Sequence, residues 1–496
     1  MQDFLKGHEA IAGIVGGFGA DFLADFLDGW DIYRKSIFRK SGLSFFLGKA
    51  DCGTKALFVL ITGETLPAGL IEDGSISTNM HTLLRCPLSI ANAYALIRNF
   101  PELGPRSMTN SKASIGMGDR LGFVTPGHVK AIQKTSAFPI FAQQSIRELN
   151  LTGRTFEDVL SDALWGALQE GWHKGFGADG DHLKTEDEVA YALRCGYSMI
   201  TLDCSNHIGR PEAASNRQGG STLTVVAGKA YRLADGTSIA YDDSEISRIR
   251  SVYQSAVDFS VGIYNEFLVK HANKIDFELS IDETSVPTDN KAHYFVAKQL
   301  YDAGVVLTSM APRFIGEFQK GIDYIGKVDC FRNDFTAHQA IADTFGYKLS
   351  VHSGSDKFSI YPSVAELSKG RFHLKTAGTN WLEAIRAVFA VDPNFFQEMY
   401  SYAREHLNEA KAYYKVNVDA DSVPEKIDFA FFDRPDIRQM MHITYGVLLN
   451  ATSTSGKHLF RNRLYSLMAK NEGIVDGQVE KHMASHLISL GLIDRS

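Results

Sequence analysis

GYSMITLDCS, residues 196–205, decides how this chain folds. Gly196 can end a helix in the left-handed conformation that other residues avoid, and the apolar and β-branched run after it turns polar at Asp203. That pattern is a helix handing over to a strand. GYKLSVHSGS at 346–355 repeats it. Six further runs share the plan of an apolar segment ending in polar residues: ASIGMGDR (113–120), FPIFAQQS (138–145), GFGADGDH (175–182), DFELSIDET (276–284), VVLTSMAPRF (305–314) and RFHLKTAGT (371–379). Helical patterns lie between them. TFEDVLSDALWGALQEGW (155–172) puts Phe156, Val159, Leu160, Ala163 and Leu164 on one face, and Thr185-Glu186-Asp187-Glu188 reads as a capping box.

Eight alternating units predict an α/β fold of the (β/α)8 barrel type over residues 111–395. An open doubly wound sheet is the competing architecture, more often with about six strands. Residues 1–110 read as an N-terminal α/β extension with a strand at KALFVLITG (55–63). Residues 206–243 read as a hairpin inserted after strand four, turning at Asp235-Gly236, with a long helix from Ser244 behind it. Residues 396–496 read as a helical C-terminal region.

The 496 residues carry a net charge of −7 and are 44% hydrophobic, which argues against nucleic acid or an anionic membrane as partner but allows a local basic pocket. Five scattered cysteines without a CxxC pair suit a reducing compartment. No secretory leader and no apolar run of ~20 residues is evident, so a soluble cytoplasmic protein is expected. Whether copies of the chain associate is left open.

In such barrels the βα loops form one mouth, and reacting groups sit at the C-terminal strand ends. Strand alternation sends Thr201, Asp203 and Ser205 inward, with Glu278, Ser280 and Asp282, Ser350 and His352, and Arg371, His373 and Lys375; Glu283 falls at a turn. Any one of these is more often a satisfied structural group. As a set, arriving from many strand ends, they are expensive unless they bind something. A divalent cation (Mn, Fe, Co, Ni or Zn) makes the set intelligible, with His182 and His352 as nitrogen ligands and Glu317, Asp282 or Glu283 as the carboxylate. Arg120, Lys184, Arg313, Lys357 and Lys375 suit an anionic substrate group, or else neutralise the acids. Asp119 and Gln144, at the ends of the first two strands, are further candidates for substrate contact. His338, in the helical FTAHQAIADTFG, reads as an exposed histidine. GIVGGFG (13–19) and GMGDRLG (116–122) do not fit GxGxxG between strand and helix, and GxxxxGK[ST] does not occur, so NAD and ATP are not expected.

GMGDRLG, GADGDHLKT, SIDET, MAPRFIGEFQKGIDYIG and GYKLSVHSGSDKFSIYP together resemble the tagaturonate epimerase family of hexuronate catabolism. The resemblance spans most of the chain and implies a metal-dependent interconversion of D-tagaturonate and D-fructuronate. It points to Asp181 and Glu283 as the acid–base pair, with His182, His352 and Glu317 on the metal. The two keto-uronates differ at C4 while the ketone is at C2. Epimerisation therefore needs either C3–C4 cleavage and re-formation or direct exchange of the C4 proton. The rivals are a sugar-acid aldolase, either metal-dependent or working through a Schiff base on Lys184 or Lys375, and a sugar-acid binding module without turnover.

Overall fold

The computed structural model describes residues 4–15, 20–62, 66–108, 111–209, 224–271, 274–376 and 378–494. The eight runs form the eight strands of a closed parallel barrel: β1 (Ser114–Gly116), β2 (Phe138–Ser145), β3 (Gly177–Leu183), β4 (Met199–Asp203), β5 (Asp276–Ile281), β6 (Ser309–Pro312), β7 (Lys348–Val351) and β8 (Phe372–Lys375). β8 pairs back onto β1, with His373 opposite Ser114 and Lys375 opposite Gly116, which excludes the open sheet. The local signals act as expected. Thr185 and Glu188 complete their capping box, Thr155 and Asp158 form another, and Gly196 and Gly346 close their helices at φ +81° and +83°.

The barrel interior is polar. Ser309 Oγ donates to Glu278 Oε2 (2.5 Å), Thr201 Oγ1 donates to Asp179 Oδ1 (2.9 Å), and Lys348 Nζ reaches Ser114 Oγ (3.4 Å). Buried polar groups are costly singly, so this network is tolerable because its members satisfy one another. Arg371 departs from the predicted inward parity: its guanidinium donates to the carbonyls of Tyr347 and Gly346 beneath the barrel.

Ahead of the barrel lies an antiparallel sheet built on the strands Leu43–Ala50, Lys55–Ile61 and Thr82–Pro87. Its residues alternate between two cores. Phe45, Leu47, Leu57 and Val59 belong to the large core shared with the barrel. Phe46, Phe58 and Leu60 pack on the other side, with Ile11 and Leu23 of short N-terminal helices. The inserted hairpin pairs Ala230–Arg232 with Ser238–Ala240; the first residues of its predicted run, to residue 223, lie outside those described. The helix after it spans Asp243–Ile263, capped by Asp242.

The C-terminal region is helical and folds back over the barrel. Its last helix, Glu472–Ser489, packs on the barrel helices Thr125–Ile132 and Thr379–Val391. Gly127 permits the contact, because a Cβ there would lie 2.8 Å from Val479 Cβ. No helix among the described residues is long and apolar enough to cross a membrane.

Candidate active site

The strand tops of β3, β5, β7 and β8 converge on a cavity of about 370 Å³, lined among others by Asp181, His182, Asp282, Glu283, His352 and Lys375. β3 does not end as a regular strand. Its pairing with β4 shifts register between Gly180 and Leu183, and His182 takes φ +53°, a region other than glycine rarely enters. Ser353, directly after His352, is likewise at φ +48°. Such strain costs roughly 1–3 kcal/mol per residue, so His182 and the residue after His352 are held in place by the surrounding fold.

Lys375 Nζ donates to Asp181 Oδ1 and Thr201 Oγ1 (2.6 Å each) and lies 2.9 Å from Asp179 Oδ2 and Glu278 Oε1. Burial alone would raise the Asp181 carboxyl, but Lys375, His182 and His352 outweigh it and hold it well below the usual range. Asp179, also buried but facing Asp181 and Glu278 as well as Lys375, is pushed up to about 6. His352 Nε2 lies 2.7 Å from Glu278 Oε1, and His182 Nδ1 lies 3.3 Å from Asp203 Oδ2, each carboxylate orienting its imidazole. Asp203 is itself fixed by the Ser205 N–H (2.8 Å) and Lys184 Nζ (3.2 Å).

One ligand atom from each of His182, Asp282 and His352 lies within 4.8 Å of the others, and the imidazole rings stand 4.9 Å apart. His352 Nδ1 is buried without a hydrogen bond, 3.4 Å from Asp282 Oδ2. Two imidazoles and a carboxylate, with the remaining side open to the cavity, fit a divalent cation. Glu317 is not brought into this trio. It pairs through its backbone with Ile325, accepts from Gln319 Nε2 (2.5 Å), and lines an adjoining cavity of about 200 Å³ with Arg313, Asp282 and Glu283. Asp282, the alternative carboxylate, is the one that lies beside the two histidines.

Several expected substrate contacts sit elsewhere. Asp119 accepts the N–H groups of Leu121 and Gly122 (2.9 Å each) and of Val124 (2.7 Å), tying down the β1 loop. Lys357 is buried, and its Nζ donates to the carbonyls of Gln319, Ile322 and Ser355, so it fastens two loops together. Lys184 turns to Asp203 and Ser205. Gln144 is buried, and its neighbour Gln143 lines the cavity instead. Arg120 does reach the cavity, paired to Glu148 (2.7 Å) and lying 4.0 Å from the centre of the Tyr445 ring. His338 is fully buried rather than exposed, its Nδ1 2.8 Å from His293 Nδ1.

Sequence reasoning missed the roof. Arg147, Lys320, Tyr413, Tyr414, Lys415 and His442 line the cavity from the helix after β2, the loop after β6 and the C-terminal region. No strand periodicity marks them; the one hint was Lys320 within MAPRFIGEFQKG.

A family model described as tagaturonate epimerase matches residues 33–490. A tagaturonate/fructuronate epimerase of Thermotoga maritima is 37% identical over 476 residues, covering 92% of this chain and 96% of its own length. The native crystal structure of fructuronate-tagaturonate epimerase from Cohnella laeviribosi superposes with a TM-score of 0.86 at 38% identity, covering 95% of this chain and 99% of that one. A glycerol complex of the same enzyme gives 0.85 at 38% identity, over 96% and 100%.

Proposed function

Since this chain belongs to the tagaturonate epimerase family, we propose that the cavity at the barrel mouth is where D-tagaturonate and D-fructuronate are interconverted, with a divalent cation held by His182, Asp282 and His352. The protein is an epimerase acting on a small sugar acid. The observation that carries the site assignment is the convergence of those three ligand atoms beside the ionised Asp181. A cation bound there supplies Lewis-acid polarisation of the substrate ketone.

The chain's own groups then handle protons. In the cleavage route Asp181 takes the C4 hydroxyl proton, the C4 carbonyl forms, and the C3–C4 bond breaks with its electron pair delocalised toward the C2 oxygen. The aldehyde turns over, the bond re-forms on the opposite face, and the proton returns to the new C4 oxygen. We assign that return to Glu283, which lies on the turn after β5 and lines the same cavity. In the exchange route the two carboxylates instead remove and replace the C4 hydrogen from opposite faces. Lys375 keeps Asp181 ionised in either case.

The test uses protein stripped with chelator, reloaded with Mn, Co, Ni or Zn, and incubated with D-tagaturonate in D2O under NMR. Metal-dependent appearance of D-fructuronate is expected. Retained hydrogen at C4 indicates cleavage, and deuterium at C4 indicates exchange. Full activity after exhaustive chelation would remove the cation from the proposal.

A further inference from the structure

We propose that the roof of the cavity is a carboxylate subsite, in which Lys320, Arg147 and His442 hold the acid group of the uronate. This rests on the epimerase reading and deepens it.

The cavity is electrostatically divided. Asp181, Asp282 and Glu283, with His182 and His352, come from the strand tops, whereas Arg147, Lys320 and Lys415 come from the roof; the one acid on the roof side, Glu148, is taken up by Arg120. The cations nearer the barrel are paired: Lys375 to three carboxylates, Arg120 to Glu148, Lys184 to Asp203. Among the described residues the three roof cations have no ion pair. Lys320 Nζ donates to the neutral Ser353 Oγ (2.9 Å). Arg147 Nη1 reaches the Tyr413 carbonyl at 3.4 Å, with its guanidinium 4.9 Å from the centre of the Tyr414 ring.

Cations gathered in this way repel one another. Burial, and then Arg147, bring Lys320 down to about 8, partly offset by Glu148 and Asp181. An anion between them relieves that repulsion, which is the electrostatic argument for a ligand.

Neutral donors face the same space. His442 is fully buried, with neither ring nitrogen hydrogen-bonded, and it lines the cavity. Gly378 makes room for it, since a Cβ at that position would lie 2.2 Å from His442 Cε1. Gln143, equally buried, has an amide without a partner in the same cavity. Buried polar atoms left unpaired are rare in a folded protein, and a bound group that accepts from them accounts for their placement. The substrate fits this polarity. Its acid group lies two carbons beyond C4 and its ketone two carbons before, so acid at the roof and ketone at the strand tops leave C4 between, beside Asp181 and Glu283.

The test is calorimetric titration of the metal-loaded protein with D-fructuronate and with its uncharged counterpart D-fructose, for wild type, Lys320→Gln and Arg147→Gln. Loss of a charge-assisted contact is expected to weaken the uronate about tenfold or more while moving the neutral sugar less than about twofold. Arg147 is exposed, so its variant guards against misfolding at Lys320. Unchanged uronate affinity in both variants would overturn the subsite even if the wild type epimerises. Tight, Lys320-dependent uronate binding without turnover would leave the subsite standing and overturn the epimerase reading.

Discussion

Lys375 Nζ and Asp181 Oδ1 lie 2.6 Å apart, and the same ammonium is shared with Asp179 and Glu278, so one cation from β8 bridges three carboxylates from β3 and β5. Burial works against the charge, but the three anions outweigh it and hold Lys375 well above its ordinary range. A fully protonated amine is not a nucleophile, which argues against Schiff-base chemistry at this position. Borohydride reduction in the presence of substrate is therefore expected to leave the chain mass unchanged; a reduced adduct on Lys375 would reverse the argument. Lys375→Met strands three buried carboxylates and should cost about 3–5 kcal/mol in denaturant unfolding.

Asp181, the proposed base, belongs to this ion network. Asp181→Asn preserves shape and leaves His182, Asp282 and His352 untouched, so metal content should stay at the wild-type level. Turnover should fall about 10²–10⁴-fold, the range a general base contributes. Paired measurements of bound metal and of the epimerisation rate by NMR decide the point. A near wild-type rate would shift the base role to Glu283.

Asp282 and Glu317 are both carboxylates near His352, and only one fits the trio. His352→Ala and Asp282→Asn should each abolish stoichiometric metal measured by plasma mass spectrometry after gel filtration. Glu317→Gln should retain it, because Glu317 faces Gln319 and the adjoining cavity. Metal lost from Glu317→Gln and kept by Asp282→Asn would hand the ligand role back to Glu317.

The strands were legible because every apolar run ends in polar residues and two of them follow the helix-ending Gly196 and Gly346, features that short-range chemistry decides. Gln144 shows where legibility ends. FPIFAQQS is buried throughout, so no alternation of polar and apolar residues reveals which of Gln143 and Gln144 faces inward. Lys357 and Asp119 look like ligands because they are polar residues in glycine-rich loops; what fixes them is backbone groups, invisible to pattern reading. The proposed ligand trio was partly legible, since His182 and His352 sit at strand ends. The choice of Asp282 depended on the turn after β5, and the part of the roof made by Tyr413, Tyr414, Lys415 and His442 depended on how the last hundred residues dock. His338 was misread because helix position alone does not tell which face is covered; His293 and Phe314 cover it.

Glu472 ties the first sheet to the last helix, and its behaviour with pH gives the docking a test. Its carboxylate accepts from Lys49 Nζ (3.0 Å), Lys55 Nζ and the Tyr33 hydroxyl (2.9 Å). Burial would raise it, but the two lysines bring it down to about 2 from an ordinary 4.5. The folded value is the lower one, so on acidification the unfolded chain binds the proton first. The stabilisation is therefore complete above the ordinary value and is lost as pH falls toward about 2. Allowing for the partial exposure of both lysines, it amounts to roughly 2–3 kcal/mol. Glu472→Gln should lower the thermal midpoint at neutral pH, and its melting curve should approach that of the wild type as pH falls from about 5 to 3. A gap that stays constant over that interval would mean that Glu472 acts through packing, and that the lysines of the first sheet contribute no charge pairing to the docked helix.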